Sequence, residues 1–347
     1  MTDWRSRSMD DWRSRLAGWR ARFGGVWLLW AGGAVAFLGA GALWLMILVY
    51  APGPHATHRL VYFAPGANFV QIAHQLDKAG VLRSERLFRR GLLWLGLARQ
   101  VRAGEYRIPA RINMAELTRF LLNGQPVLYP IRVIEGQTSA QVVADLRANP
   151  LLRGVLEEIP PEGSLLPETY LVERDTPRQQ LVARMQAAMR DLVDELWQSR
   201  PADFPLRTRQ ELVTLASIIE KETGVDDERT LVSAVFFNRL RRGMRLQSDP
   251  TVIYGLVGGK GALGRPLRRS ELQRRTPYNT YRVGGLPPTP IANPGAASLR
   301  AVLAPQAKNY LYFVADGSGG HVFAATLAEH NRNVAKWRTW QRQQKAR

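Results

Sequence analysis

The hydropathy pattern is dominated by one feature near the start of the chain. From Phe23 to Ala51 no residue is charged, a run of 29 that contains Val26, Trp27, Leu28, Leu29 and Trp30 and closes on the stretch from Leu43 to Tyr50. About 20 such residues suffice to cross a bilayer as a helix. Tryptophans near one end and Tyr50 near the other suit the two membrane interfaces. Pro52, Gly53 and Pro54 then stop the helix and open a short linker. A soluble core helix seldom runs this long without a charge. A cleaved signal peptide calls for a shorter apolar stretch and a small-x-small site, which is missing before Pro52.

Beyond the linker the pattern alternates between short strands and amphipathic helices. Leu60 to Phe63 reads as a strand, and Asn68 with Gln71 forms a capping box for a helix from Phe69 to Ala79. A second helix is expected over 83–97, a strand from Gly104 to Ile108, and a helix from Asn113 to Leu122 that ends at Gly124. This β-α-α-β-α order makes 58–125 a small unit, with a soft boundary drawn at 130. A strand from Tyr129 to Ile134 follows, then Gly136 and a helix capped by Thr138 and Gln141. Gly66, Gln71 and Leu76 recur as Gly136, Gln141 and Leu146, a weak internal repeat at a constant offset of seventy residues.

Helices are expected near 177–198, 208–223 and 227–242. After them come a long loop, a hairpin from Tyr310 to Ala315 and His321 to Ala325, and a last helix capped by Thr326 and Glu329. Strands and helices in unequal runs argue an α+β fold. The chain is thus divided into a tail 1–22, a membrane helix 23–51, a small unit 58–130 and a larger mixed α/β domain 131–347.

Charge changes the picture. The chain has 48 Lys and Arg against 29 Asp and Glu, a formal charge of +19, which suits a polyanionic partner. Six arginines against three aspartates precede the apolar run. By the positive-inside rule that end stays in the cytosol and the larger part is exported. An exported, basic domain disfavours nucleic acid as the partner. Cysteine is absent from all 347 residues, so disulfides, thiolate metal sites and thiol catalysis are excluded. No HExxH, GxSxG or GxxxxGKS pattern occurs, and neither metal nor cofactor is expected.

The most informative segment runs from Glu211 to Gly224. Leu212, Leu215, Ala216 and Ile219 share one helical face, and Gly224 suits a helix end. Glu220 and Glu222 then sit in the last turn, where the macrodipole disfavours carboxylates by about 0.3–1 kcal/mol each. A carboxyl kept protonated near neutrality is what a general acid needs. Spacing alone does not choose between the two, and a solvated E-K-E turn is the bland alternative.

The loop 277–295 holds five prolines, with Tyr278 and Tyr281 offering flat faces and Asn279 and Asn293 offering paired donors and acceptors. Those groups suit sugar rings. Gln247 and Asp249 stand in a polar turn, Asp249 as a second carboxylate. Arg265, Arg268, Arg269, Arg274 and Arg275 form a basic stretch, and His321 is expected to pack or hydrogen-bond.

Four blocks carry a resemblance: LASIIEKETG, FFNRLRRGMRLQSDPTVIYG, TPYNTYRVGGLPPTPIANPG and YLYFVADGSGGHVFAATLAEHN. In this order they resemble the MltG (YceG-like) endolytic murein transglycosylases. The single membrane helix and the small unit, read as LysM-like, are similar to that family more loosely. The resemblance implies a lyase of the inner membrane that cuts peptidoglycan glycan strands, with its catalytic domain outside the cytosol. It assigns the acid to the first glutamate of the triplet, Glu220, which would protonate the bond between N-acetylmuramic acid and N-acetylglucosamine. The same group would then draw the proton from the muramic C6 hydroxyl and leave a 1,6-anhydro ring. Gln247, Asp249, Tyr278, Asn279 and Tyr281 are the candidate sugar contacts, and membrane peptidoglycan synthases are the implied partners. Two other readings remain at this stage: a wall-binding scaffold without catalysis, and a hydrolase in which Asp249 or Glu222 activates water.

Overall fold

A computed structural model describes residues 29–345. The tail 1–22 and the first six residues of the apolar run lie outside the described residues. Helix α1 spans Leu29–Tyr50, 22 residues whose most apolar stretch has a mean hydropathy of 2.1 and is not buried against the protein. Its length and composition fit a bilayer crossing. After it the chain forms two compact units, divided between Val127 and Leu128.

In the first unit, strand β1 (Arg59–Phe63) is followed by helices α2 (Phe69–Lys78) and α3 (Glu85–Trp94), strand β2 (Gly104–Ile108) and helix α4 (Met114–Asn123). β1 and β2 pair antiparallel with Val61 opposite Tyr106. The expected capping box of Asn68 with Gln71 is complete, and Asn113 with Glu116 forms another. Phe63, Leu76, Phe88, Tyr106, Ile108 and Leu121 fill the core between the hairpin and the helices.

The second unit begins with β3 (Leu128–Arg132), which explains why the boundary falls before residue 130. Then come α5 (Ser139–Ala148), β4 (Leu152–Arg153), β5 (Thr169–Glu173), β6 (Thr176–Pro177), α6 (Arg178–Gln198) and α7 (Arg209–Glu222). β3 pairs antiparallel with β5, while β4 and β6 make a two-residue parallel pair. The remaining elements are a 3-10 turn (Asp226–Glu228), α8 (Arg229–Arg241), α9 (Asp249–Val257), α10 (Arg269–Gln273), α11 (Ala296–Leu303), the hairpin β7 (Tyr312–Ala315) and β8 (His321–Ala324), and α12 (Leu327–Lys345). Every sheet among the described residues is two-stranded, and the architecture is mixed α and β.

Three short helices depart from the sequence reading. Residues 247–251, expected as a turn, open α9: Pro250 lies in its first turn, where the missing N–H costs nothing and φ is pre-set. Arg269–Gln273 in the basic stretch is helical, and α11 follows the long loop. They are 9, 5 and 8 residues long, too short for a period to stand out.

Helix α7 is the axis of this unit. All residues from Leu212 to Ile219 are buried, not one face only, because α6, α8, α9 and α11 all contact it. The buried Ser217 hydroxyl is satisfied both locally and by the loop: its Oγ donates to the Thr214 carbonyl at 2.7 Å and accepts from the Ile291 N–H at 3.0 Å. Irregular backbone over 277–295 can therefore lie against a helix without stranding its polar groups.

Candidate active site

The last turn of α7 emerges from this packing with its two carboxylates diverging. Thr223 caps the helix, its N–H donating to the Ile219 carbonyl at 3.2 Å. Glu220 turns toward α8 and the end of the long loop, and its side chain is only 6% exposed. One oxygen accepts the Gly295 N–H at 2.9 Å. The other lies 3.7 Å from the Arg229 guanidinium, which also contacts Asp226, sits 3.9 Å from Glu135 and donates to Ser298 Oγ at 3.2 Å. Burial, with Glu220 next, pushes the Glu135 carboxyl above its usual range. Gly295 lies close against Glu135: a Cβ there would stand 2.0 Å from Glu135 Oε1, so that side chain would have to move.

Glu222 turns the other way, toward the start of α9. Ser248 Oγ donates to its Oε1 at 2.5 Å. Burial raises the Glu222 carboxyl to about 7, with Asp249 adding to the rise and Ser248, His321 and Arg239 opposing it. Asp249 accepts from the Tyr281 hydroxyl at 2.7 Å. Gln247 is exposed, in a left-handed conformation with φ 51°, and its N–H donates to the Thr280 carbonyl at 3.2 Å. Buried Thr280 holds this corner, since its Oγ1 accepts the Ser248 N–H at 3.0 Å and meets Thr251 Oγ1 at 2.9 Å.

The structure thus brings Glu222, Gln247, Asp249 and Tyr281 together and turns Glu220 away from them. Tyr278 is half-buried, its ring 5.1 Å from that of Tyr254 and its hydroxyl 2.7 Å from Thr289 Oγ1. Asn279 requires a correction. It is buried, its amide donates to the carbonyls of Glu271, Leu272 and Arg274, and its Oδ1 accepts the Tyr281 N–H. With both ends occupied it braces the loop and leaves nothing for a sugar hydroxyl. Asn293 is buried in the same manner, between Gln137, Ser139 and Leu165.

Sequence reasoning missed Glu135, Arg229 and Ser248, which come from three different segments. It anticipated a hydrogen-bonding His321, whose Nδ1 and backbone N–H both meet Glu228, at 2.7 and 2.6 Å. Glu228 also accepts from Thr223 Oγ1 at 3.0 Å, so it ties the helix end to the hairpin. In the basic stretch Arg265 forms a two-pronged pair with Glu271. Beside the helix end runs a groove of about 430 Å³, bordered by Lys221, Pro250, Ile253, Tyr254 and Arg265.

A packed helix thus delivers a carboxyl with a raised pKa to a polar corner, with an open groove beside the helix end. The sequence matches the YceG-like family over residues 61–336, and the chain belongs to that family. It is 31% identical over 304 residues to the endolytic murein transglycosylase of Bacillus subtilis (strain 168), covering 78% of this chain and 82% of that protein. It is also 31% identical over 319 residues to the endolytic murein transglycosylase of Streptococcus pneumoniae (strain ATCC BAA-255 / R6), where it spans 57% of the relative's length. Among solved structures, a YceG-like protein from Listeria monocytogenes aligns over 80% of this chain and 99% of that one, with 28% identity and a TM-score of 0.45.

Proposed function

We propose that this chain is a membrane-anchored endolytic transglycosylase, a lyase that cuts peptidoglycan glycan strands between N-acetylmuramic acid and N-acetylglucosamine. The extent of the likeness to the Bacillus relative supports the activity. The observation that carries the chemistry is the carboxyl of Glu222, lifted to about 7 and held by Ser248 beside Asp249 and Tyr281. A general acid works best when its pKa lies near the operating pH. Glu222 gives its proton to the glycosidic oxygen as the bond to muramic C1 breaks. As carboxylate it then takes the proton of the muramic C6 hydroxyl, whose oxygen bonds to C1 and closes a 1,6-anhydro ring. The acid ends as it began, and no water enters, so the second carboxylate of an ordinary glycosidase is not required. Gln247, Asp249, Tyr281 and, at the groove side, Tyr278 are the proposed sugar contacts.

A second reading keeps Glu220 as the acid, as the motif resemblance implies. Its deep burial favours a functional role, while its contacts with Gly295 and Arg229 suit a bridge between α7, the loop and α8. In either case α1 would hold the chain in the cytoplasmic membrane with its N-terminus inside, and the small LysM-like unit would meet glycan. The substrate would be nascent strands, whose cleavage ends their growth beside membrane peptidoglycan synthases.

The test is digestion of purified peptidoglycan and of nascent uncrosslinked strands by the full chain and its Glu222→Gln and Glu220→Gln variants, with products read by mass spectrometry. Anhydro-muramic ends from the parent and from Glu220→Gln, but not from Glu222→Gln, are expected. The reverse pattern would transfer the acid to Glu220. Reducing ends would point to a hydrolase using Asp249, and an inert, folded, wall-binding protein would point to a scaffold.

A further inference from the structure

The surface of the first unit carries an apolar knob that the catalytic reading does not use. Leu93, Trp94 and Leu95 are consecutive at the end of α3, and Trp94 is 86% exposed. The knob is rigidly presented. Gly96 is left-handed, the Leu97 N–H donates to the Leu92 carbonyl, and the Gly96 N–H donates to the Leu93 carbonyl, which together form a Schellman stop. Phe88 and Leu92 on the other face anchor α3 in the core. Arg90 and Arg86 stand one and two turns before Trp94 on the same helical row, and Arg99 and Arg102 follow; all four are exposed.

The position of the knob along the chain matters as much as its composition. The residues that leave α1 are stitched to this unit. Arg83 donates to the Pro52 carbonyl at 2.6 and 3.0 Å, the Gly53 N–H donates to Arg111, and the Arg111 N–H donates to His55. Pro52 lies two residues beyond the end of α1, and α3 starts two residues after Arg83. A ten-residue helix is about 15 Å long, so the knob stays within a short span of the membrane exit. From residue 59 to 127 the unit carries eleven Lys and Arg against four Asp and Glu.

We propose that Leu93, Trp94 and Leu95, with the arginines around them, seat this unit on the anionic lipid surface of the same bilayer that α1 crosses. The inference rests on α1 being a membrane span. Tryptophan prefers the interface, leucine inserts below it, and arginine meets lipid phosphates. A sugar is the poorer occupant. The knob protrudes where a glycan site is concave, its aliphatic residues offer no hydrogen bond, and arginine supplies donors but no acceptor.

The chain lacks cysteine, so a single spin label reports one place. The full chain carrying Leu95→Cys would be labelled and reconstituted into vesicles of phosphatidylglycerol and phosphatidylcholine. Collision with oxygen would be compared with collision with a water-soluble nickel chelate. The expected result is a shift toward oxygen at this site, reversed when Trp94→Glu is added. A Leu43→Cys label reports the span itself. An aqueous reading at Leu95 with a lipid reading at Leu43 overturns the docking alone, and aqueous readings at both overturn the anchoring with it. A Leu95 label that is shielded only on addition of purified glycan strands overturns the proposal in favour of a wall contact. Leu93→Cys repeats the measurement from a second position.

Discussion

Ser248 Oγ stands 2.5 Å from Glu222 Oε1, joining the end of α7 to the start of α9 across 26 residues of sequence. Ser248 is itself held by Thr280, so the proline-rich loop acts on the carboxyl through one intermediate. Burial drives the Glu222 pKa up while the serine hydroxyl pulls it down, and the balance falls at about 7. The acid strength of this group is therefore set by contacts between distant segments.

The pH profile should carry that balance. With Glu222 as the acid, kcat/KM falls as pH rises above about 7, where burial places its carboxyl. Ser248→Ala removes a donor that favours the anion, so the fall should move to higher pH. Steady-state rates on uncrosslinked glycan strands across pH 5 to 9 (as a working range of about four units) read this directly. An alkaline limb unmoved in Ser248→Ala would remove Glu222 from the role.

Stability should respond in the same direction. Because the folded pKa of about 7 exceeds the ordinary 4.5, the folded state binds more protons between those values. Stability then falls as pH rises through that window, and the loss is complete above the folded pKa. Glu222→Gln carries no such penalty and should exceed the parent by on the order of 2–3 kcal/mol above neutrality, and match it in acid. Urea unfolding on either side of the window measures the difference.

Arg229 offers a test of the opposite flank. It is the cation among Glu220, Glu135 and Asp226 and is buried. Arg229→Met should cost about 3–5 kcal/mol, the usual result of leaving buried charge uncompensated. Adding Glu220→Gln should recover a good part of the loss, and a double-mutant cycle by denaturant unfolding shows it. Strict additivity would deny the coupling.

Asn279 separates bracing from sugar contact. Asn279→Ala leaves three carbonyls without their donor and should destabilise by about 2–4 kcal/mol. Its KM for glycan strands, measured well below the melting temperature, should remain close to that of the parent. A raised KM with unchanged stability would restore Asn279 to the binding surface.

Local physics was legible in the sequence wherever an element was long or capped. The apolar run marked α1, Asn68 and Thr138 marked helix starts through their side-chain caps, and the rhythm of residues 211–222 marked α7. These depend on neighbours within a few residues, so a one-dimensional pattern suffices. The short helices α9 and α11 gave no such signal, since two turns carry too little periodicity, and the strand β5 was likewise not anticipated. The E-K-E triplet was visible, but spacing alone did not choose between its two carboxylates. What each would meet was decided by tertiary structure: Arg229 and Gly295 on one side, Ser248 and Asp249 on the other. Asn279 shows the same limit, because an amide in a polar loop reads as a surface contact until the carbonyls of Glu271, Leu272 and Arg274 close around it. Burial and the partners reached across the fold set a polar group's chemistry, and neither is written in its local sequence.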